Sequence, residues 1–270
     1  RITLFESEYG CPASKDLVSA LKNLKPDIVI VATPTATHYR IILTVITECK
    51  PKAIICEKPI AYNINEATEI VNSCEEASID LFVNYFRRSD RGVIDIKRRI
   101  DHDLISHPIR GVCWYSKGLL NSGSHFLNLL QYWLGEVINF ELINKGRLWN
   151  NEDPEPDVEI NFELGTVIFL AACEEHFSHY TIELISPMGR LEYAQGGSHI
   201  VWHSVIDDPI CEGYRILNRS SENILSDLDR IQLQVLDQLI SHFNGQESFI
   251  CPSREALETL KILDNIRNSL

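Results

Sequence analysis

The spacing of hydrophobic residues over the first third of the chain alternates between the helical and the strand period. Residues 15–24 repeat leucine and valine at helical spacing, and residues 27–33 form a β-branched run typical of a strand buried on both faces. A helical stretch then runs to Ile46, and Asn63 with Glu66 is a plausible capping box for another helix. The predicted strands are residues 27–33, 53–56 and 79–84. Strands separated by helices indicate right-handed crossovers and a doubly wound parallel sheet.

After Arg88 the pattern changes to successive short strands separated by turn residues. A connecting helix is predicted at residues 90–100, and one strong amphipathic helix at residues 124–134 is closed by Gly135. The predicted strands are residues 109–115, 137–144, 158–164, 167–172, 180–185 and 190–193. Two helices end the chain, residues 226–243 and a last one that Ser253 would cap. We therefore expect an α/β chain with a parallel sheet in residues 1–88, and an α+β domain with a mostly antiparallel open sheet in residues 89–270.

Composition and charge narrow the class of protein. The 270 residues are 44% hydrophobic and 23% charged, which is typical of a soluble globular protein, and the net charge of −13 argues against a nucleic-acid partner. No apolar run approaches the ~18–20 residues of a membrane helix, and no secretory signal is visible, so we expect a cytoplasmic protein without a membrane partner. The eight cysteines form no C-x-x-C pair, which favours reduced core thiols over a metal site.

Three short motifs stand where predicted elements begin or end, the usual place for sites in α/β enzymes. They are Ala32-Thr33-Pro34-Thr35 followed by His38, then Glu57-Lys58-Pro59, and then the segment from Asn121 to Asn128, which contains His125. Each has an ordinary structural explanation when taken alone. A Thr-Pro pair suits a turn, a lone lysine is most often solvated, and a histidine beside a helix can belong to the core.

Together with Tyr85-Phe86-Arg87-Arg88, these motifs resemble, in order and spacing, the glucose–fructose oxidoreductase, inositol dehydrogenase and MocA (Gfo/Idh/MocA) family. That family carries a-T-P-x-x-x-H, E-K-P, an aromatic-x-x-R segment and D-x-G-x-H-x-x-D. The resemblance implies that residues 1–88 are the remainder of a Rossmann domain, with NAD or NADP as the cofactor. It also implies an oxidoreductase that acts on a CH–OH group of a sugar, a polyol or a nucleotide-linked sugar. A homodimer or homotetramer formed through the second-domain sheet is expected as well.

The resemblance also assigns roles to residues of this chain. The expected dinucleotide-binding residues are Thr33, Pro34, Thr35, His38, Glu57, Lys58 and Pro59. The expected catalytic residues are Lys58, His125 and Asn121, and the expected substrate-binding residues are Arg88, Asn121, His125 and His179. An imidazole suits proton transfer near neutral pH, and a lysine can stabilise a developing alkoxide. In the family the Lys-Pro bond is often cis, so a cis peptide is expected at Lys58-Pro59.

The chain departs from the family pattern in two respects, which keep an alternative open. Asn121 and Asn128 stand where the family has aspartates, so an amide rather than a carboxylate would orient His125. No G-x-G-x-x-G occurs, and only 26 residues precede Asp27, fewer than a β-α-β unit needs. Either the chain is amino-terminally incomplete, which we expect, or the protein has lost that half of the domain. The alternative function is a non-catalytic, ligand-binding or regulatory member of the same family.

Two histidine pairs, His176 with His179 and His199 with His203, could each act as metal ligands. In strand-rich segments these spacings do not by themselves place two imidazoles on one ion, so no metal is expected.

The sequence does not identify which sugar or polyol is the substrate, whether the cofactor is NAD or NADP, or the direction of the reaction.

Overall fold

The computed structural model describes residues 2–270 and, for side chains, residues 6–270. It divides the chain into two compact units. One extends to Asn84 and includes Pro252–Leu257, and the other comprises Tyr85–Cys251 and Glu258–Leu270.

The first unit contains a parallel sheet of three strands in the order β1-β2-β3. The strands are β1 (Ile28–Val31), β2 (Ala53–Cys56) and β3 (Asp80–Val83). The helices are α1 (Ile2–Tyr9), α2 (Leu17–Leu24), α3 (His38–Glu48) and α4 (Ile64–Glu76). All four residues of β2 are buried, because this strand lies between the other two and carries only apolar side chains. Asn63 caps α4 as predicted, since its side chain accepts a hydrogen bond from the Glu66 backbone N–H at 2.8 Å.

The second unit is built on a mixed sheet in the order β11-β10-β9-β8-β4-β7-β6-β5, with β12 also paired to β10. Its strands are β4 (Ile109–Tyr115), β5 (Val137–Trp149), β6 (Asp153–Phe162), β7 (Gly165–Ala171), β8 (Thr181–Ser186), β9 (Gly189–Ala194), β10 (His199–Asp207), β11 (Arg215–Leu217) and β12 (Glu222–Ile224). Only the β4–β7 pair is parallel among the described strand pairs of this sheet. The predicted fold class, a Rossmann-like parallel sheet followed by a mostly antiparallel one, is confirmed.

The remaining helices are α5 (Arg91–Asp101), α6 (Ser124–Leu134), α7 (Ile231–Phe243) and α8 (Ser253–Asn268). Helix α6 has the bounds predicted from the sequence, and it ends at Gly135, whose φ of 87° is accessible to glycine. Leu127, Leu130 and Trp133 of α6 are fully buried in the core of this unit, and the Trp133 indole N–H donates to the Val93 carbonyl at 3.1 Å. Full burial of each such side chain contributes about 1.5–3 kcal/mol, so this core holds α6 in place within the unit.

Several strands of the second sheet differ from the predicted elements. Strand β5 continues to Trp149, beyond its predicted end at residue 144, because the polar stretch around Gly146 stays paired through a register shift. Gly146 has a φ of 67°, and a Cβ there would lie 1.8 Å from the Glu155 carbonyl oxygen. Strand β6 begins at Asp153, five residues before its predicted start at residue 158. Strands β10, β11 and β12 were not predicted, and in β10 the histidines interrupt the hydrophobic pattern.

Candidate active site

Two of the motifs follow parallel strands at the same edge of the first sheet. Thr33 and Pro34 come after β1, and Glu57, Lys58 and Pro59 come after β2. The carboxyl ends of neighbouring parallel strands meet at one edge, which is where open α/β sheets bind ligands. Lys58 is half-buried there, two residues beyond the end of its strand, as the sequence predicted. The peptide bond Lys58-Pro59 is cis, which confirms that expectation too.

His38 joins the two loops. Its ring is fully buried, with Nε2 placed 2.8 Å from the Thr33 carbonyl oxygen and Nδ1 placed 3.1 Å from the Pro59 carbonyl oxygen. The Cys56 thiol lies 3.3 Å from Nδ1, and burial raises the pKa of that thiol far above its ordinary value. The imidazole therefore fixes the spacing of the Thr33 and Pro59 loops from inside the unit.

Glu57 is held in place by Asn84, the residue that follows the third strand. Its Oε1 accepts a hydrogen bond of 2.6 Å from the side-chain amide of Asn84, which directly follows β3. Asn84 is 6% exposed, and its Oδ1 is buried with no hydrogen-bond partner among the described residues. The amide orientation follows from Glu57, because only the NH₂ group can donate to a carboxylate. The edge thus presents a fixed carboxylate beside an unsatisfied carbonyl oxygen.

In the second unit, His125 is the second residue of α6 and lies against two aromatic rings. The ring centroid of Tyr85 is 5.6 Å away in a T-shaped contact, and that of Phe86 is 5.0 Å away. These contacts restrict the rotation of the imidazole. Asn121 is exposed and lies within a π-helical turn, Gly118–Gly123, that runs directly into α6. The sequence predicted the helix but not this turn.

Two carboxylates that the sequence analysis did not single out contact this π-helical turn. Asp153 accepts hydrogen bonds from the backbone N–H groups of Leu120 and Asn121, each at 2.9 Å. Glu155 accepts from the Gly118 N–H at 3.0 Å. Both acids come from β6, some 30 residues further along the chain. No local sequence signal could have connected them to the turn.

The two remaining candidates, Arg88 and His179, have different surroundings. Arg88 is 4% exposed, and its guanidinium lies 4.4 Å from the centroid of the Tyr132 ring. His179 is half-buried between Trp114 and Phe177, with ring centroids 5.8 Å from each. It lines two neighbouring open cavities of about 540 and 370 Å³. His179 is therefore accessible to a small molecule, whereas Arg88 is enclosed.

Glu174 organises the loop that carries His179. It accepts a hydrogen bond from Ser116 Oγ at 2.6 Å, and its other oxygen lies 3.0 Å from the Lys117 ammonium. Burial opposes the ionised form and would raise the pKa. Hydrogen bonds from Ser116, Ser178 and Lys117 outweigh it and lower the pKa of Glu174 from 4.5 to about 2.

This lowered pKa predicts a pH-dependent contribution to stability. Because the pKa is lower in the folded than in the unfolded chain, ionised Glu174 stabilises the fold above pH about 4.5, and this contribution is lost as the pH falls toward about 2. The difference in free energy of unfolding between the wild type and Glu174→Gln should shrink over that range. Urea denaturation at a series of pH values measures it. A difference that is unchanged at the acidic end would contradict the assignment.

Other residue groups add little to the site. Within residues 2–270 no three His, Cys, Asp or Glu side chains are grouped so that they could hold a metal ion. Four cysteines are buried, namely Cys56, Cys74, Cys113 and Cys251, whereas Cys11, Cys173 and Cys211 are exposed, so the expected core location holds for only half of them. No helix in the described part of the chain has the length and apolar character needed to cross a bilayer.

Comparison with known proteins relates the first part of the chain to a family. Residues 1–85 match the Gfo/Idh/MocA family model, described as the oxidoreductase family with an NAD-binding Rossmann fold. Over these residues the chain is similar to the Gfo/Idh/MocA family. Among the curated relatives, the scyllo-inositol 2-dehydrogenase (NAD(+)) of Bacillus subtilis is 29% identical over 157 residues, 51% of this chain and 44% of that protein. The matches to the first curated relatives span less than half of their length.

Several solved structures share the fold over nearly the whole chain. An NAD-binding oxidoreductase from Klebsiella pneumoniae has a TM-score of 0.84 at 15% identity, covering 99% of this chain and 84% of that one. The WlbA dehydrogenase of Bordetella pertussis, solved with NADH and UDP-GlcNAcA, has a TM-score of 0.76 at 16% identity, with coverage of 99% and 84%. At these identities the likeness establishes the fold.

Proposed function

We propose that this chain is part of an NAD-dependent oxidoreductase. The enzyme interconverts a CH–OH group and a carbonyl group on a cyclic polyol or sugar. The observation that carries the proposal is the Glu57-Lys58-Pro59 loop, held at the carboxyl edge of the parallel sheet by His38 and Asn84. That position suits a nicotinamide nucleoside, and the inositol dehydrogenase relatives suggest the class of substrate.

The residues of this edge fit the nicotinamide side of the cofactor. Thr33 and Pro34 are exposed beside the start of α3, and a hydroxyl or amide of the nucleoside would satisfy the buried Oδ1 of Asn84. Glu57, already oriented by Asn84, can accept from ribose hydroxyls. His38 would act through the two loops it joins, because its own ring is enclosed. The chain contains no G-x-G-x-x-G turn, so the proposal for these residues does not extend to the pyrophosphate.

The division of chemical work follows from the residue types. Bound nicotinamide supplies the hydride acceptor or donor at its C4 atom. In the oxidative direction, His125 takes the hydroxyl proton while hydride leaves the same carbon, so that a carbonyl forms and charge balances. Lys58 donates a hydrogen bond to the reacting oxygen and stabilises the negative charge that develops there. Asn121 orients the imidazole or the substrate without adding charge, and His179 contacts substrate hydroxyls.

One observation favours a second candidate, a ligand-binding regulator without turnover. Asn128, at the second position where the family has an aspartate, is buried and donates to Thr259 Oγ1 at 3.0 Å. Its amide therefore serves the packing of α6 on α8. With Asn121 also an amide, neither position supplies the carboxylate that raises the basicity of a neighbouring histidine.

An assay with separate NAD⁺ and NADP⁺ distinguishes the candidates. The full-length protein, including any residues that precede this chain, is purified and mixed with each cofactor and with myo-inositol, scyllo-inositol, glucose or a UDP-linked N-acetylhexosamine, and the absorbance of reduced nicotinamide is followed. Reduction with one polyol or sugar, and with NAD⁺ in preference to NADP⁺, is expected. Calorimetric binding of a sugar without any reduction would favour the regulator. If the protein binds neither a nucleotide nor a sugar, both candidates are overturned.

A further inference from the structure

The π-helical turn Gly118–Gly123 leads directly into the helix that carries His125. At the start of any helix the first N–H groups have no acceptor within the helix, and a π-turn is a rare geometry often found at functional sites. Lys117 and Gly118 enter the turn with φ values of 62° and 83°. Such a turn needs acceptors from elsewhere in the fold.

Asp153 supplies two of these acceptors. Its Oδ1 accepts from the Leu120 N–H and its Oδ2 from the Asn121 N–H, both at 2.9 Å. A carboxylate that accepts from two consecutive N–H groups makes charge-assisted bonds at the positive end of the helix. These bonds act on the backbone of Asn121, four residues before His125.

Glu155 supplies a third acceptor from a buried position. Its side chain is 0% exposed, with Oε1 bound to the Gly118 N–H at 3.0 Å and Oε2 bound to Arg147 Nε at 2.7 Å. Arg147 also pairs with Glu175, so one guanidinium joins the buried carboxylate to the surface. A buried charge is tolerated only when it is paired and hydrogen-bonded, and Glu155 satisfies both conditions.

The contact between β6 and the turn is too close for a larger residue at Gly118. A Cβ built there would lie 2.1 Å from the Asp153 carboxyl carbon. The turn, the glycine and the two acids therefore form one fitted arrangement within the second unit.

We propose that Asp153 and Glu155 are positioning residues for the candidate active site, and this rests on the proposed function. Their carboxylates hold residues 118–121 in the π-helical conformation, so that Asn121 and His125 keep a fixed relative orientation. Without them the turn relaxes toward ordinary α-helical hydrogen bonding, which has fewer residues per turn and rotates Asn121 about the helix axis. His125 itself carries out the proton transfer, and the orientation of its imidazole depends on the two β6 carboxylates.

Asp153→Asn tests this proposal, with Asp157→Asn as the matched control. Asp157 lies on the same strand and also accepts from a backbone N–H, that of Ala171 at 3.0 Å, but it does not contact the turn. In Asp153→Asn one side-chain oxygen becomes an NH₂ group, which cannot accept from the second N–H. We expect kcat to fall about 10- to 100-fold with the KM for the dinucleotide unchanged, because small misplacements of a reacting group have effects of this size. Asp157→Asn should retain the wild-type kcat.

Two measurements that need no turnover separate this proposal from the proposed function. Nuclear magnetic resonance of labelled protein follows the Asn121 amide and the His125 imidazole, and hydrogen exchange follows the amides of residues 118–121. Asp153→Asn should shift both resonances and speed exchange, whereas Asp157→Asn should not. Positioning is overturned if the imidazole resonance stays at its wild-type position in Asp153→Asn, or if both variants move it equally. If the wild type reduces no cofactor, the proposed function fails and these measurements still decide the positioning role.

Discussion

Replacement of His125 by alanine is expected to lower the turnover of a sugar or polyol by about 10²- to 10⁴-fold, the usual contribution of a positioned proton-transfer group. The dinucleotide dissociation constant should stay near the wild-type value, because the proposed cofactor residues belong to the other unit. Steady-state kinetics and calorimetric titration of the same preparation measure both quantities. Circular dichroism shows whether α6 survives the loss of the ring contacts with Tyr85 and Phe86.

His102→Ala is a suitable control for this variant. His102 follows α5 in the same unit and is exposed, with its Nδ1 2.7 Å from the Arg98 carbonyl oxygen. The substitution therefore removes an imidazole without changing any residue of the candidate site. It should keep the wild-type rate. Full turnover by a folded His125→Ala protein would show that His125 is a structural histidine and that the base lies elsewhere.

Replacement of Lys58 by alanine should lower kcat by about 10²- to 10³-fold, as the loss of a donor to a developing oxyanion does. Lys58→Arg keeps the charge but not the compact ammonium, so it should recover only part of the rate. Lys52→Ala is the matched control. Lys52 immediately precedes the same strand at its opposite end, where it pairs with Asp27 at 3.0 Å and has a side chain 69% exposed.

The comparison of Lys58→Ala with Lys52→Ala separates position from charge. Both variants remove one positive charge from the vicinity of β2, so a general electrostatic effect would act on both. If the two variants lose the same fraction of kcat, Lys58 has no specific role at the reacting oxygen. Titration with the oxidised dinucleotide shows whether either change acts through cofactor affinity instead.

The regular elements of the fold were predictable because their residues carry local signals. Strands 53–56 and 109–115 have the predicted bounds, since each is a short β-branched or aromatic run between turn residues. Helix 124–134 was equally clear, with periodic leucines and a terminal glycine. The short helix Ile2–Tyr9 was not predicted.

The long-range parts of the candidate site could not be read from local patterns. The bonds from Asp153 and Glu155 to residues 118–121 depend on where β6 passes the π-helical turn, and the sequence stretch Asp-Pro-Glu-Pro resembles a loop. The enclosed position of His38 is another case. A motif gives the residue type and its spacing, whereas the partners of the two ring nitrogens of His38 follow from how the loops after β1 and β2 pack against the start of α3.

The return of the chain to the first unit at Pro252–Leu257 has a consequence for biosynthesis. Pro252 forms a bridge with Phe82 of β3, and Arg254 pairs with Glu75 of α4. A ribosome releases residues in order, at about 5–20 per second, so β3 leaves the exit tunnel roughly 10–30 s before the segment that borders it. During that interval β3 of the nascent chain lacks the segment that covers its edge. An exposed edge strand can pair with another chain. Slow translation or premature termination before residue 252 would therefore expose newly made protein to aggregation.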